Sequence, residues 1–381
     1  MVRNTAIATL SESPPVPTTS EPSPCGPLPG GPLPGGGPGR RAALVGLAAL
    51  AGAGPARAAR PASGFHHEWF HFQARFLLHE GRVVDSGNGG VSHSEGQGWG
   101  LLFALWADDR PAFERILGWT RRVLRRPGDA LHAWRFRPQA GLAVDDPNNA
   151  TDGDLCIAWA LLEAGQRWDA PDYTVLGTAI ARDILRLLVR RVGAYSVLLP
   201  GTQGFELAEG TVINPSYYVF PAFAALARAV PDPAWVRVAA DGLVLLRACR
   251  FGRWGLPPDW ALLGRADGGL SLPAGWPPRF SFDAVRVPLY LAWAGLWGEP
   301  ALEQIRGFWT DPAHPVLPAW ADLGTGATAP YAASPGVAAI ARLIGAQRLA
   351  GPVAQQAEAS VAEAPNYYSA ALSLLVRRAM R

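Results

Sequence analysis

The sequence predicts an all-α protein folded as a closed helical barrel, and three observations lead there. Apolar residues recur at i, i+3 and i+4 through 67–79, 95–107, 111–125, 151–166, 173–190, 216–229, 234–248, 282–297, 300–309, 334–348 and 367–379. Strand-like alternation is scarce; 195–200 and 209–213 are the best candidates, so β structure is expected only as short pieces in loops. Several helices, such as Leu155 to Leu162 and Leu289 to Leu296, are apolar around most of their circumference. That pattern fits the inner ring of a double-layered barrel.

The breaks between helices are regular. Asp109-Arg110-Pro111, Arg126-Pro127-Gly128, Pro231-Asp232-Pro233 and Gly298-Glu299-Pro300 each end one helix and prepare the next. No fixed-period repeat is present, which argues against a solenoid.

Composition narrows the chemistry. The chain has 381 residues, 49% of them hydrophobic and 17% charged, enough to bury a large core. All 34 basic residues are arginine. With no lysine, a Schiff-base enzyme, a pyridoxal-phosphate enzyme, a P-loop and a Ser-Lys hydrolase are excluded. The net charge is +3, and no arginine-dense stripe alternates with aromatics, so nucleic acid is not the expected partner. The 15 tryptophans all lie between Trp69 and Trp320. Cys25, Cys156 and Cys249 show no metal-ligand spacing, and the latter two sit in apolar helical runs as expected core residues.

The N-terminus reads as an address. Residues 14–39 hold ten prolines and seven glycines and no aromatic residue, a composition too poor in apolar surface to fold, so 1–39 is expected to be disordered. Arg40-Arg41, a short apolar run and Ala56-Arg57-Ala58 then form a twin-arginine-like or Sec export signal over 40–58. The run is too short for a permanent membrane anchor. The catalytic domain is expected over 59–381, in the periplasm or outside the cell.

Three polar clusters interrupt the apolar background. Ser92-His93-Ser94-Glu95-Gly96-Gln97-Gly98-Trp99-Gly100 puts a carboxylate at a helix start among three glycines. Ser94 as a cap explains the acid but not the glycines, which cost about 1 kcal/mol each relative to alanine. Something bulky approaching the backbone would explain them. Asn148-Asn149-Ala150-Thr151-Asp152-Gly153-Asp154 opens another helix; its paired acids suit sugar hydroxyls, or a DxD metal site for glycosyl transfer, although no nucleotide-binding α/β pattern surrounds it. Phe280-Ser281-Phe282-Asp283-Ala284-Val285-Arg286 sets an acid and a guanidinium at i, i+3. Arg286 can orient Asp283 and keep it ionised.

In order along the chain, VSHSEGQGWG, NNATDGDLCIAWALLEA, INPSYYVFPAF, LPPDW, FSFDAVRVPLYLAWAG and YYSAALSLL resemble the landmarks of glycoside hydrolase family 8, and GRVVDSGN belongs with them. The likeness is strongest to the endoglucanases of bacterial cellulose-synthesis operons and spans about Trp69 to Leu375. It implies an (α/α)6 barrel that cleaves β-1,4-glucan internally with inversion and needs no cofactor. By this resemblance Glu95 is the general acid, Asp283 the general base and Asp152 the carboxylate that holds the sugar at the cleavage point. Tyr217 matches a tyrosine that positions the attacking water, with Tyr218 beside it leaving the assignment open by one residue. Arg286 would orient Asp283. Chitosanases, lichenases and xylanases of the same family are alternatives, and the cellulose synthase export complex is a candidate partner.

The physical chemistry agrees with these roles. Inversion needs one protonated carboxyl and one ionised carboxyl roughly 6.5–9.5 Å apart. Glu95, among Trp99, Leu101 and glycines with no cation nearby in sequence, suits the first; Asp283, three residues from Arg286, suits the second. Trp99 and Trp134 are candidate platforms for glycan stacking, whereas Trp106, Trp159 and Trp293 read as core. Two competing readings remain to be tested. His67-Glu68-Trp69-Phe70-His71 fits the HExxH pattern of a zinc metallopeptidase without an obvious third ligand. The other is a glycan-binding barrel without catalysis, although both acids and Arg286 are present.

Overall fold

The computed structural model describes residues 63–345 and 360–381; the expected tail and export signal lie outside them. In chain order the helices are α1 (Ser63–Phe76), α2 (Ser94–Trp106), α3 (Arg110–Val123), α4 (Thr151–Arg167), α5 (Pro171–Leu188), α6 (Phe220–Ala229), α7 (Pro233–Ala248), α8 (Val287–Trp293), α9 (Pro300–Trp309), α10 (Pro335–Leu343) and α11 (Tyr367–Ala379). Several start as their sequences dictate. Asp109 accepts from the Ala112 amide, Asp232 from Ala234, Ser334 from Val337 and Asn366 from Ser369, and Pro111, Pro233 and Pro335 occupy first-turn positions that need no donor.

Burial sorts these helices into two layers. In α2, α4 and α11 nearly every residue of the first three turns is buried, as is nearly all of the short α8, and α6 joins them. The other six expose one face, as amphipathic outer helices do. The inner helices touch in succession, α2 to α4, α4 to α6, α6 to α8, and α8 to α11. The ring closes where Tyr367 of α11 packs on Trp99, ring centroids 6.4 Å apart. After α9 the chain runs through the loop 310–334, with no inner helix among these described residues.

The first and last helices are stitched together at this closure. Arg75 donates to the Val361 carbonyl at 2.5 Å and the Ala364 carbonyl at 2.7 Å, and Glu68 accepts from the Val361 amide at 2.6 Å. Phe72 and Phe76 both pack on Tyr367.

The strands are short antiparallel pieces in loops: Ser92–His93 with Arg135–Phe136, Val189–Val192 with Tyr195–Leu198, Gly210–Ile213 with Ala261–Gly264 and Leu270–Ser271, and Arg279–Phe280 with Ala321–Asp322. Two expectations need correcting. The helix expected to 190 ends at Leu188, and 189–192 becomes a hairpin strand; Gly193, at φ +55, makes the tight turn that returns it. The helix expected over 282–297 is a 3-10 turn at Ala284–Arg286 followed by the short α8, because residues 281–284 are held by bonds from outside the helix.

Cys156 and Cys249 are buried free thiols, as expected. Trp106, Trp159 and Trp293 form a mutual cluster with centroids 5.3–5.7 Å apart, which bears out their reading as core.

Candidate active site

All five inner helices bring their N-terminal ends to the same mouth of the barrel. Glu95 and Asp152 are the second residues of α2 and α4, Ser216 and Tyr217 immediately precede α6, Asp283 and Arg286 precede α8, and Tyr367 and Tyr368 begin α11. The positive ends of the helix dipoles therefore converge there, which favours carboxylates.

Glycines bring α2 and α4 close enough for Glu95 and Asp152 to share one partner. A Cβ on Gly98 would lie 2.7 Å from the Cys156 Cβ, and one on Gly153 would lie 2.6 Å from the Glu95 amide nitrogen. The adjoining helix thus explains Gly98, while Gly96 makes room for the Tyr367 hydroxyl and Gly100 for Val83 and Ile116, so the bulky neighbours are parts of the protein and not a ligand.

Arg286 is the hub of the site. It is 2% exposed. One terminal nitrogen, Nη1, forms an ion pair with Glu95 Oε1 and lies 3.3 Å from Asp152 Oδ2. The other, Nη2, reaches Asp283 Oδ1 at 2.5 Å and the Ser216 hydroxyl at 2.9 Å. Its guanidinium carbon stands 5.8 Å from the Tyr217 ring centroid and 5.9 Å from that of Trp99. Glu95, Asp152, Tyr217, Asp283 and Arg286 are therefore one cluster, drawn from positions 95 to 286.

The electrostatics correct one sequence expectation. Glu95 does have a cation beside it, supplied by Arg286 from nearly two hundred residues away. Asp283 in turn is not held low by that guanidinium. Burial pushes its carboxyl well above the usual range, and the charges of Asp259 and Asp152 push the same way. Asp152 is raised to about 7, chiefly by burial, although Gly153 donates to it at 2.8 Å. Three carboxyls, Asp152 buried and Glu95 and Asp283 partly so, share one guanidinium, and its charge cannot offset the ionisation of all three. Asp152 and Asp283 are thus both pushed above the ordinary carboxylate range.

Asp154 belongs elsewhere. It is fully buried and accepts from the His132 amide and ring and from Asn149, which ties the segment ahead of α4 to the helix. The two acids of the DxD face different partners, so they do not form the paired metal grip that spacing allowed.

The two adjacent tyrosines separate cleanly. Tyr217 is buried against the cluster, and burial together with the Asp152 and Asp283 charges raises its phenol well above the ordinary value. Tyr218 accepts from the Leu198 amide at 3.3 Å and packs against Gly242, away from Arg286. Trp99 and Trp134 are corrected as stacking platforms. Trp99 is 0% exposed and Trp134 4%, with the Trp134 indole N–H donating to Asp146 at 2.8 Å and Arg135 over its ring. Trp99 is buried where α2 meets Tyr367 of α11, and Trp134 beside the short strand pair of Ser92–His93 and Arg135–Phe136. The aromatic run leading away from the site instead passes from Tyr217 to Trp260, 6.1 Å, and on to half-buried Trp276, 6.5 Å. Sequence reasoning also missed Ser216 and Asp259, although both lie inside the quoted motifs.

The HExxH segment does not assemble a zincin site. His67 and His71 approach each other at 3.2 Å on the exposed face of α1, while Glu68 points inward to the Val361 amide and Arg377.

The sequence model of glycosyl hydrolases family 8 matches residues 42–381. The chain belongs to that family. It is a glycoside hydrolase with the (α/α)6 barrel of its relatives. It is 47% identical over 309 residues to a "Probable endoglucanase" of Novacetimonas hansenii, covering 81% of this chain and 89% of that protein. It is 40% identical over 274 residues to an endoglucanase of Cellulomonas uda, covering 71% and 75%. The solved structure of the endo-β-1,4-glucanase CMCax from Acetobacter xylinum superposes with a TM-score of 0.78 at 45% identity, covering 84% of this chain and 98% of that one.

Proposed function

We propose that this glycoside hydrolase cleaves β-1,4-glucan internally with inversion, Glu95 protonating the leaving oxygen and Asp283 activating the water. The single observation that carries the reading is the Arg286 guanidinium, which takes Glu95 on one amino nitrogen and Asp283 on the other. An inverting pair needs its two carboxyl groups roughly 6.5–9.5 Å apart, with room for a water between base and sugar. Asp152, beside Glu95 on the same nitrogen, is suited to gripping hydroxyls of the sugar at the cleavage point. Tyr217, buried against Asp152 and Asp283, is suited to orienting the water.

In this mechanism the entering glycan separates Glu95 from Arg286. Glu95 then holds the proton it gives to the leaving oxygen in a mouth emptied of water, and Arg286 turns its full charge on Asp283, which is ionised before the step and takes the proton of the water as it attacks the anomeric carbon. Protonation of the leaving oxygen and abstraction of the water proton occur on opposite faces of the ring, and the anomeric centre inverts.

The endoglucanase names of the relatives support β-1,4-glucan over the chitosan, lichenan or xylan alternatives. We further propose an exported enzyme that trims glucan during cellulose production beside the synthase export complex. Among the described residues no helix is long and apolar enough to cross a membrane. The test is reducing-sugar release from carboxymethylcellulose, with the anomer of the first product followed by NMR. Wild type should release α-anomer; Glu95→Gln and Asp283→Asn should each lose on the order of 10²–10⁴ in kcat. Wild-type activity in either variant removes that residue from its role.

A further inference from the structure

We infer that Asp259 is the positioning residue of the base: it fixes the turn that aims Asp283 and supplies the negative charge against which Asp283 ionises. The inference rests on reading Asp283 as the base.

Asp259 comes from the LPPDW segment ahead of the Ala261–Gly264 strand and is 6% exposed. Its Oδ1 accepts from the Ser281 amide at 2.9 Å and the Ala284 amide at 2.8 Å, and its Oδ2 bonds the Ser281 hydroxyl. Its own amide donates to the Arg279 carbonyl at 2.7 Å. These contacts grip the backbone on both sides of Asp283. From the other direction the Tyr368 phenol donates to the Phe282 carbonyl. Residues 281, 282 and 284 are thus each fixed from outside the turn, and only the Asp283 side chain is left to face Arg286.

Holding the turn does not require an acid. A neutral amide offers the same oxygen to both backbone donors, without burying another charge beside Asp152 and Asp283. What an ionised Asp259 adds is repulsion of ionised Asp283, which makes Asp283 a stronger base; burial raises the Asp259 carboxyl as well, and its bonds from Ser281 and Ala284 oppose that rise. The groups that face Asp283 are Arg286 on its own turn, Asp152 from α4, Asp259, Tyr217 ahead of α6 and Tyr368 from α11, with Glu95 of α2 on the same guanidinium. Asp259 is the one acid among them that also bonds the backbone carrying Asp283.

The experiment is the pH profile of kcat/KM on carboxymethylcellulose for wild type, Asp259→Asn, Asp259→Ala and Asp283→Asn. Asp259→Asn keeps the clamp and removes the charge, so its acid limb should move to lower pH by roughly one unit with KM unchanged. Asp259→Ala loses the clamp, and its kcat should fall on the order of 10²-fold with little change in KM. If Asp283→Asn is inactive while Asp259→Asn keeps the wild-type limb, the inference is overturned and the base stands. If Asp283→Asn is fully active, the base reading fails and the inference falls with it.

Discussion

Gly98 and Gly153 face each other across the crossing of α2 and α4, where a Cβ on Gly98 would lie 3.1 Å from the Gly153 carbonyl oxygen. This contact sets the distance from Glu95 to Asp152. Gly153→Ala would press its methyl on the Glu95 amide and part the helices. We expect a stability loss of about 1–3 kcal/mol by thermal unfolding, accompanied by a fall in kcat because Glu95 no longer reaches its position. Unchanged kcat in a destabilised variant would show that the spacing is not functional.

The tyrosine pair offers an internal control. Tyr217→Phe should lower kcat on the order of 10–100-fold while leaving the melting temperature near wild type. Tyr218→Phe should do the reverse, losing about 1 kcal/mol as the Leu198 amide loses its acceptor and retaining turnover. Equal effects on turnover would reject the assignment.

Asp152 gives stability a pH signature. Its folded pKa, raised to about 7, lies above the unfolded value of 3.8. Its contribution is therefore fully present below about pH 4 and is lost as pH rises through 7. Asp152→Asn should gain melting temperature relative to wild type at pH 8 and lose that advantage at pH 4. Scanning fluorimetry at both pH values checks the sign.

Glu68 should matter to folding and not to turnover. Glu68→Ala strands the buried Val361 amide, costing about 1–3 kcal/mol, while activity per folded molecule stays at wild type. Dialysis of wild type against a chelator should likewise leave hydrolysis unchanged. Zinc at one equivalent with activity lost on chelation would restore the peptidase reading.

Trp276, at the outer end of the run from Tyr217 through Trp260, is placed to stack on a sugar ring beyond the cleavage point. Trp276→Ala should raise KM for a long glucan several-fold, about 1 kcal/mol, with kcat near wild type. A change confined to kcat would argue against a binding platform.

Much of the site is legible because polar residues stand out in apolar helices: Glu95, Asp152 and Asp283 each break a helical pattern, and each touches Arg286. What was not legible depended on contacts remote in sequence. The i, i+3 spacing showed Arg286 beside Asp283 but hid its reach to Glu95, so the protonation expected of each acid was assigned from local neighbours alone. Trp99 read as a platform because aromatic character is visible in sequence and its burial under Tyr367 is not. The strand at 195–198 falls within the candidate 195–200, whereas its partner at 189–192 escapes because Val189 and Val192 continue a helical period until Gly193 reverses the chain.

The join between α1 and α11 bears on how the chain is made. Ribosomes deliver α1 first and α11 last, yet Phe72, Phe76 and Trp99 are all covered by Tyr367, a residue of that final helix. Through most of its synthesis the nascent protein therefore carries an open aromatic seam, and non-local closures of this kind are slow and prone to aggregation. Those three rings stay open until Tyr367 and its helix close over them.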